Sequence, residues 1–181
     1  MKKIILVLSC IVLVWSCNQE KTEQNKTSSS TKDYRSERNQ FSISYPANFE
    51  MEDSNTEYYQ FLLLEPFKDS LDDTKDALMI GIETLPMAVP FKDLLASQKT
   101  AIKLQAPQVS FFDEEELKIN GKESGRFVSN ITAPDSTKFT IMSYMIYDSN
   151  RVFHVTVKNK QNEYAIKKPI FEDIIKSIKI D

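Results

Sequence analysis

Among 181 residues there are three glycines, two cysteines, one histidine and one tryptophan, and each scarcity excludes a class of chemistry. With only Gly81, Gly121 and Gly125, the chain has no glycine-rich loop to cradle a phosphate. A lone histidine, His154, rules out a histidine-rich zinc site and paired imidazoles. Both cysteines, Cys10 and Cys17, fall in the first 17 residues, so the rest of the chain is built without thiol or disulfide. No apolar run approaches the ~20 residues needed for a membrane-spanning helix.

What the N-terminus does have is Lys2-Lys3, an apolar stretch from Ile4 to Trp15 broken only by Ser9 and Cys10, and an abrupt polar turn at Ser16-Cys17-Asn18. A short apolar run behind two lysines has the grammar of a cleaved secretory signal. Val14-Trp15-Ser16-Cys17 resembles the lipobox of bacterial lipoproteins, in which a small residue precedes the cysteine that is acylated. Residues 1–16 are therefore expected to be a signal peptide and Cys17 the lipid-bearing N-terminus, in the cell envelope and on the outer membrane. Trp15 departs from the small or aliphatic residue usual at its position. Val7-Leu8-Ser9-Cys10 also fits, but cleavage there would leave too short an apolar segment behind it.

Removing Lys2 and Lys3 from 23 basic residues set against 26 acidic ones leaves a mature net charge of −5. That balance argues against nucleic acid and against adhesion to anionic headgroups. Attachment is expected from acyl chains, each buried methylene contributing ~0.8 kcal/mol. From Asn18 to Asn39 the sequence has one aromatic and no aliphatic residue, so residues 17–39 are expected to form a disordered tether spanning ~25 Å.

Residues 40–181 are expected to form one domain, monomeric and without a cofactor. Phe41-Ser42-Ile43-Ser44-Tyr45-Pro46 alternates with the period of a half-buried strand, and Phe49 and Met51 alternate likewise. Tyr58 to Leu64 and Leu78-Ile80-Ile82 read as further strands, separated by a charged loop from Lys68 to Asp76. Residues 91–105 carry apolar side chains at helical spacing, with Asp93 in the first turn and Ala106-Pro107 as a stop. Asn120-Gly121 marks a two-residue hairpin within residues 115–131, and Asp148-Ser149-Asn150 joins a second hairpin from Phe139–Tyr147 to Arg151–Lys158. Phe171, Ile174, Ile175 and Ile178 stripe a C-terminal helix with Pro169 near its first turn. Hairpin-joined strands with few helices predict an α+β domain, an antiparallel sheet covered by helices.

The pattern of core positions, above all Pro169-Ile170-Phe171-Glu172-Asp173-Ile174-Ile175-Lys176-Ser177-Ile178-Lys179, together with Phe41–Pro46, Ile119–Lys122 and Arg151–Thr156, resembles the PsbP-like superfamily over nearly all of residues 40–180. The resemblance implies an α/β/α sandwich around an antiparallel sheet. Members include an extrinsic photosystem II subunit, a Ran-binding nuclear import factor and many bacterial envelope lipoproteins, and those with known roles mostly bind or stabilise other proteins. The resemblance carries no catalytic motif onto positions here, and fold analogy alone does not assign function.

Few residues offer chemistry of their own. His154 lies in a strand, where a half-buried or solvent-facing structural role competes with that of a catalytic base. Gly121-Lys122-Glu123-Ser124-Gly125 lacks the spacing of a nucleophile elbow and sits on a hairpin. Asp69-Ser70-Leu71-Asp72-Asp73-Thr74-Lys75-Asp76 clusters carboxylates but lacks the glycine and terminal glutamate of a calcium loop, and Asp113-Glu114-Glu115-Glu116 reads as a solvated run entering a strand. Asp69-Ser70-Leu71 and Asp135-Ser136-Thr137 resemble the O-glycosylation acceptor of Bacteroidetes, which would place a glycan on Ser70 or Ser136. In Pro86-Met87-Ala88-Val89-Pro90, Met87 and Val89 either staple the following helix or form a contact surface. The expectation is a non-catalytic lipoprotein, anchored through Cys17, that binds or stabilises another envelope protein. The alternatives are a small hydrolase using acidic residues from different loops and a binder of an apolar ligand beside the sheet.

Overall fold

A computed structural model describes residues 30–53, 59–67 and 74–181. Two antiparallel sheets and two helices make up this region. The larger sheet contains β3 (Glu50–Asp53), β4 (Phe61–Leu64), β5 (Ala77–Thr84), β6 (Phe111–Ile119), β7 (Lys122–Thr132), β8 (Lys138–Asp148) and β9 (Arg151–Lys160), in the order β3-β4-β5-β9-β8-β7-β6. The smaller sheet orders β1 (Thr31–Ser36), β2 (Phe41–Pro46) and β10 (Lys179–Ile180) as β1-β2-β10. Helix α1 (Phe91–Gln105) covers part of one face of the large sheet, while α2 (Tyr164–Lys176) and the small sheet fill the other. The result is the expected α+β sandwich, with one outer layer part helix and part sheet.

The period-2 pattern decides which side chains meet. Phe61, Ile80, Val155 and Tyr144 occupy one cross-strand row of the inner face and meet Phe41, Ile43, Phe171, Ile174 and Ile175 from the opposite layer. Phe41 stands edge-on to both Phe61 and Phe153, and Phe49 edge-on to Phe171, the geometry that the ring quadrupole favours. A second cluster on the outer face joins Phe91, Leu94 and Leu95 of α1 to Met145, Val152 and Tyr147. Here α1 comes so near β7 that a Cβ on Gly125 would lie 3.1 Å from both Leu95 methyls, which is why a residue without one sits there.

The 91–105 helix and the turns of both hairpins stand where expected. Asn120 and Gly121 have φ values of 47° and 82°, as a two-residue hairpin turn requires. The Asn120 amide also donates to the Lys176 carbonyl at 3.0 Å, tying that turn to the end of α2.

Three expectations are corrected. Order begins before Phe41: Thr31–Ser36 is a strand whose partners in β2 run from Thr31↔Pro46 to Ser36↔Phe41, so the expected tether to residue 39 is shortened at its C-terminal end. Backbone hydrogen bonds along an open edge make that strand, which needs little apolar sequence: Tyr34 packs inward against Phe41 and Phe61, and Ser36 is buried on the same face. Pro169 lies in the second turn of α2, not near its first, because the helix starts at Tyr164. The ring leaves the Ala165 carbonyl without its helical donor, and Ala165 is exposed, so water can replace it. Finally, the first hairpin begins at Phe111 and not at 115: Phe111–Ile119 is one strand, kept continuous by a β-bulge between Phe112 and Glu115 with Asp113 at φ 51°.

Candidate functional site

Cys17, Cys10 and the residues from 68 to 73, including Asp69, Ser70, Asp72 and Asp73, lie outside the described residues. His154 is half-buried on the outer face of β9, its Nε2 3.1 Å from Glu83 Oε2 and its strand neighbours Gly81 and Met145. Ser136 is exposed in the β7–β8 loop at φ 69°, while the Asp135 carboxylate accepts from the Thr137 amide at 2.9 Å. Met87 is 67% exposed and staples nothing; Leu85 takes the packing position and the Val89 amide donates to Tyr147 Oη at 3.1 Å.

The run Asp113–Glu116 is exposed, as expected, and two of its residues, Asp113 and Glu115, join a polar cluster at the margin of the inner face. The bulge swings Asp113 toward Arg126 of β7, whose Nη2 lies 2.8 Å from Asp113 Oδ1 and 2.9 Å from Glu115 Oε2, while Nη1 lies 2.7 Å from Glu172 Oε1 on α2. Lys168 completes the circuit at 2.6 Å from Asp113 Oδ2. Beside these groups is a recess of about 190 Å³ lined by Glu115, Leu117, Arg126, Tyr144, Glu172 and Ile175. The hydrogen bond from Lys168, aided by Arg126, holds the Asp113 carboxyl below the usual carboxylate range, and burial pushes the Tyr144 hydroxyl up to about 12. A carboxyl held ionised in this way is a poor proton donor at neutral pH, whereas acid/base hydrolysis needs one raised carboxyl beside one ionised partner. The cluster therefore joins α2 to β6 and β7 as a clamp of two cations and three carboxylates.

A second cluster lies at the other end of α2. Lys167 is 4% exposed and its Nζ donates to Glu65 Oε1 just after β4. Asp76, expected in a solvated acidic loop, is buried beside them; burial, and then the charge of Glu65, push its carboxyl up from the ordinary value. Asn159 of β9 is fully buried, with no hydrogen-bond partner for its amide among the described residues. Among the described residues, no group of three or more histidine, cysteine or acidic side chains is placed to hold a metal ion.

The outer face of the large sheet is divided. At one end α1 seals Gly125, Met145 and Val152. Toward the other end, two cross-strand rows, Leu62-Met79-Thr156-Ser143 and Leu64-Ala77-Lys158-Ile141, carry Leu62, Leu64, Met79 and Ile141 half-exposed. Alternation in the sequence could have placed these side chains on one face, but not shown where α1 stops.

No protein-family model and no curated protein matches the chain. Among solved structures, it is similar to cyanobacterial PsbP (CyanoP) from Synechocystis sp. PCC 6803, with a TM-score of 0.64 at 10% identity over 84% of this chain and 94% of that one. LpqN of Mycobacterium tuberculosis, described as involved in cell envelope biogenesis, matches with a TM-score of 0.63 at 10% identity over 83% and 90%. The Saccharomyces cerevisiae Ran-binding protein Mog1p matches at 0.56 and 8% identity over 83% and 95%. At such identities the likeness speaks for architecture alone, and the domain has the PsbP-like fold.

Proposed function

We propose that this chain is a lipoprotein of the bacterial envelope, anchored through Cys17, whose domain binds or stabilises another envelope protein without catalysing a reaction. The observation that carries the reading is the half of the large sheet's outer face that no described element covers, where Leu62, Leu64, Met79 and Ile141 stand half-exposed on the sheet. Half-exposed apolar side chains interspersed with Thr156, Ser143 and Lys158 are what protein contacts use, their energy residing in a few anchors. The polar clusters support the same reading, since Arg126 and Lys167 are engaged by acidic side chains of their own chain. A likeness to LpqN, a protein involved in cell envelope biogenesis, fits an envelope setting.

The test is cross-linking in cells followed by capture of the full-length protein, with Met79→Glu and Ile141→Glu compared with the parent. Loss of a specific envelope partner in both variants, with thermal unfolding unchanged, is the expected result. A His154 or single carboxylate substitution that abolishes the cellular phenotype of a folded protein, with no partner recovered from the parent, would replace this reading with that of a hydrolase. For the anchor, the mass of the mature N-terminus decides: acyl chains on Cys17, and none in Cys17→Ser.

A further inference from the structure

Helix α2 has a second apolar feature that its core stripe does not account for. Phe171, Ile174 and Ile175 point inward, yet Ile166 and Ile170, one turn apart on another side of the helix, are 72% and 37% exposed. Side chains at i and i+4 lie one above the other, so the two form a continuous exposed strip. Ile170 also borders a groove of about 330 Å³ between α2 and β2, with Thr31, Tyr45, Pro46 and Ile174.

The described part of the chain begins at this same groove. Thr31 lines it, and the Ser30 carbonyl accepts a hydrogen bond from the Ala47 amide at 2.7 Å. Because β1 reaches back to Thr31, Cys17 is about 13 residue steps from Ser30. Covalent reach bounds their separation at about 45 Å, whatever path the chain takes. A bilayer holding an acyl group on Cys17 reaches the α2 side of the domain with the least separation of Cys17 from Ser30, whereas the far side demands nearly the full reach. Helix α1, with Leu104 78% exposed, lies across the large sheet on the far side.

We propose that the domain rests on the bilayer to which Cys17 anchors it, with Ile166 and Ile170 seated at the boundary between headgroups and acyl chains. This rests on the anchor reading. The net negative charge of the mature chain gives no electrostatic attraction to the surface, so the contact is apolar, and two isoleucines are too few to hold a free domain there. The anchor supplies the missing affinity by raising the local concentration of membrane. In this orientation the half-open outer face of the large sheet is turned away from the lipid, toward a partner.

The chain offers a clean test because residues 18–181 contain no cysteine. Full-length lipidated protein carrying Ile166→Cys, labelled with an environment-sensitive fluorophore, is reconstituted in phosphatidylcholine vesicles with and without brominated acyl chains; Leu104→Cys serves as the reference. The expected result is at least twofold quenching of the label at 166 by brominated lipid and none at 104, with the quenching at 166 removed by adding Ile170→Asp while flotation with vesicles is unchanged. Protein that floats with vesicles but is quenched equally at both positions, or at neither, overturns the docking and leaves the anchor standing. A label at 166 that responds only when envelope protein is added assigns the strip to a protein contact and overturns it too. Protein that does not float overturns the anchor and the docking together.

Discussion

Arg126 on β7 reaches across the interior to Glu172 on α2, its Nη1 2.7 Å from Glu172 Oε1, while its other terminal nitrogen holds Asp113 and Glu115 of β6. One guanidinium thus fastens a helix and an edge strand to the strand between them. The planar fork suits this task, because it presents parallel donors in fixed directions that a lysine ammonium cannot reproduce. Removing it would leave three carboxylates facing one another with only lysines at their margin.

Arg126→Met should therefore lower stability by about 2–4 kcal/mol in a urea titration at neutral pH, as expected when one partner of a largely buried ion pair is lost. Arg126→Lys should recover only part of the loss. A lysine variant indistinguishable from the parent would show that charge, and not the fork, does the joining.

The Asp113 carboxyl is held below its ordinary value, chiefly by the hydrogen bond from Lys168. A group with a depressed folded-state pKa stabilises the fold above its unfolded pKa and loses that contribution as pH falls through the folded value. The destabilisation caused by Asp113→Asn should accordingly be full at pH 7, shrink below about pH 4 and be lost as pH falls through the folded value. Thermal midpoints of the two proteins across that range measure it, and a gap that stays constant to pH 2 would assign the effect to shape.

Asp76 has the opposite sign. Burial raises its carboxyl, so its contribution is complete below about pH 4 and is lost as pH rises through the folded value. Asp76→Asn keeps the outline without the charged form. At pH 8 the variant should be at least as stable as the parent, and its advantage should disappear on acidification. A variant clearly weaker at pH 8 would mean that the attraction of Lys167 outweighs the burial of the charge.

Phe171 is fully buried where α2 meets Phe49 of the facing layer. Phe171→Ala should cost about 3–5 kcal/mol by denaturant titration. A loss under about 1 kcal/mol would show that α2 is not packed on the sheet as described.

Local signals in the sequence were enough to place the 91–105 helix, the turn at Asn120-Gly121, and the hairpin strands on either side of Asp148–Asn150, because turn chemistry and apolar period act over a few residues. The apolar stripe Phe171-Ile174-Ile175 likewise identified the face of α2 that is buried. Tertiary structure alone decided the rest. Thr31–Ser36 became a strand because the edge of β2 offered it backbone partners, which its polar side chains do not advertise. Asp113, still exposed, meets Arg126 because a bulge and strand register aimed it there, and Asp76 was buried because the layers closed over the start of β5. Each depends on residues tens of positions away, and which side chains meet across a sheet is set by register and by the stacking of layers, neither of which has a local signature.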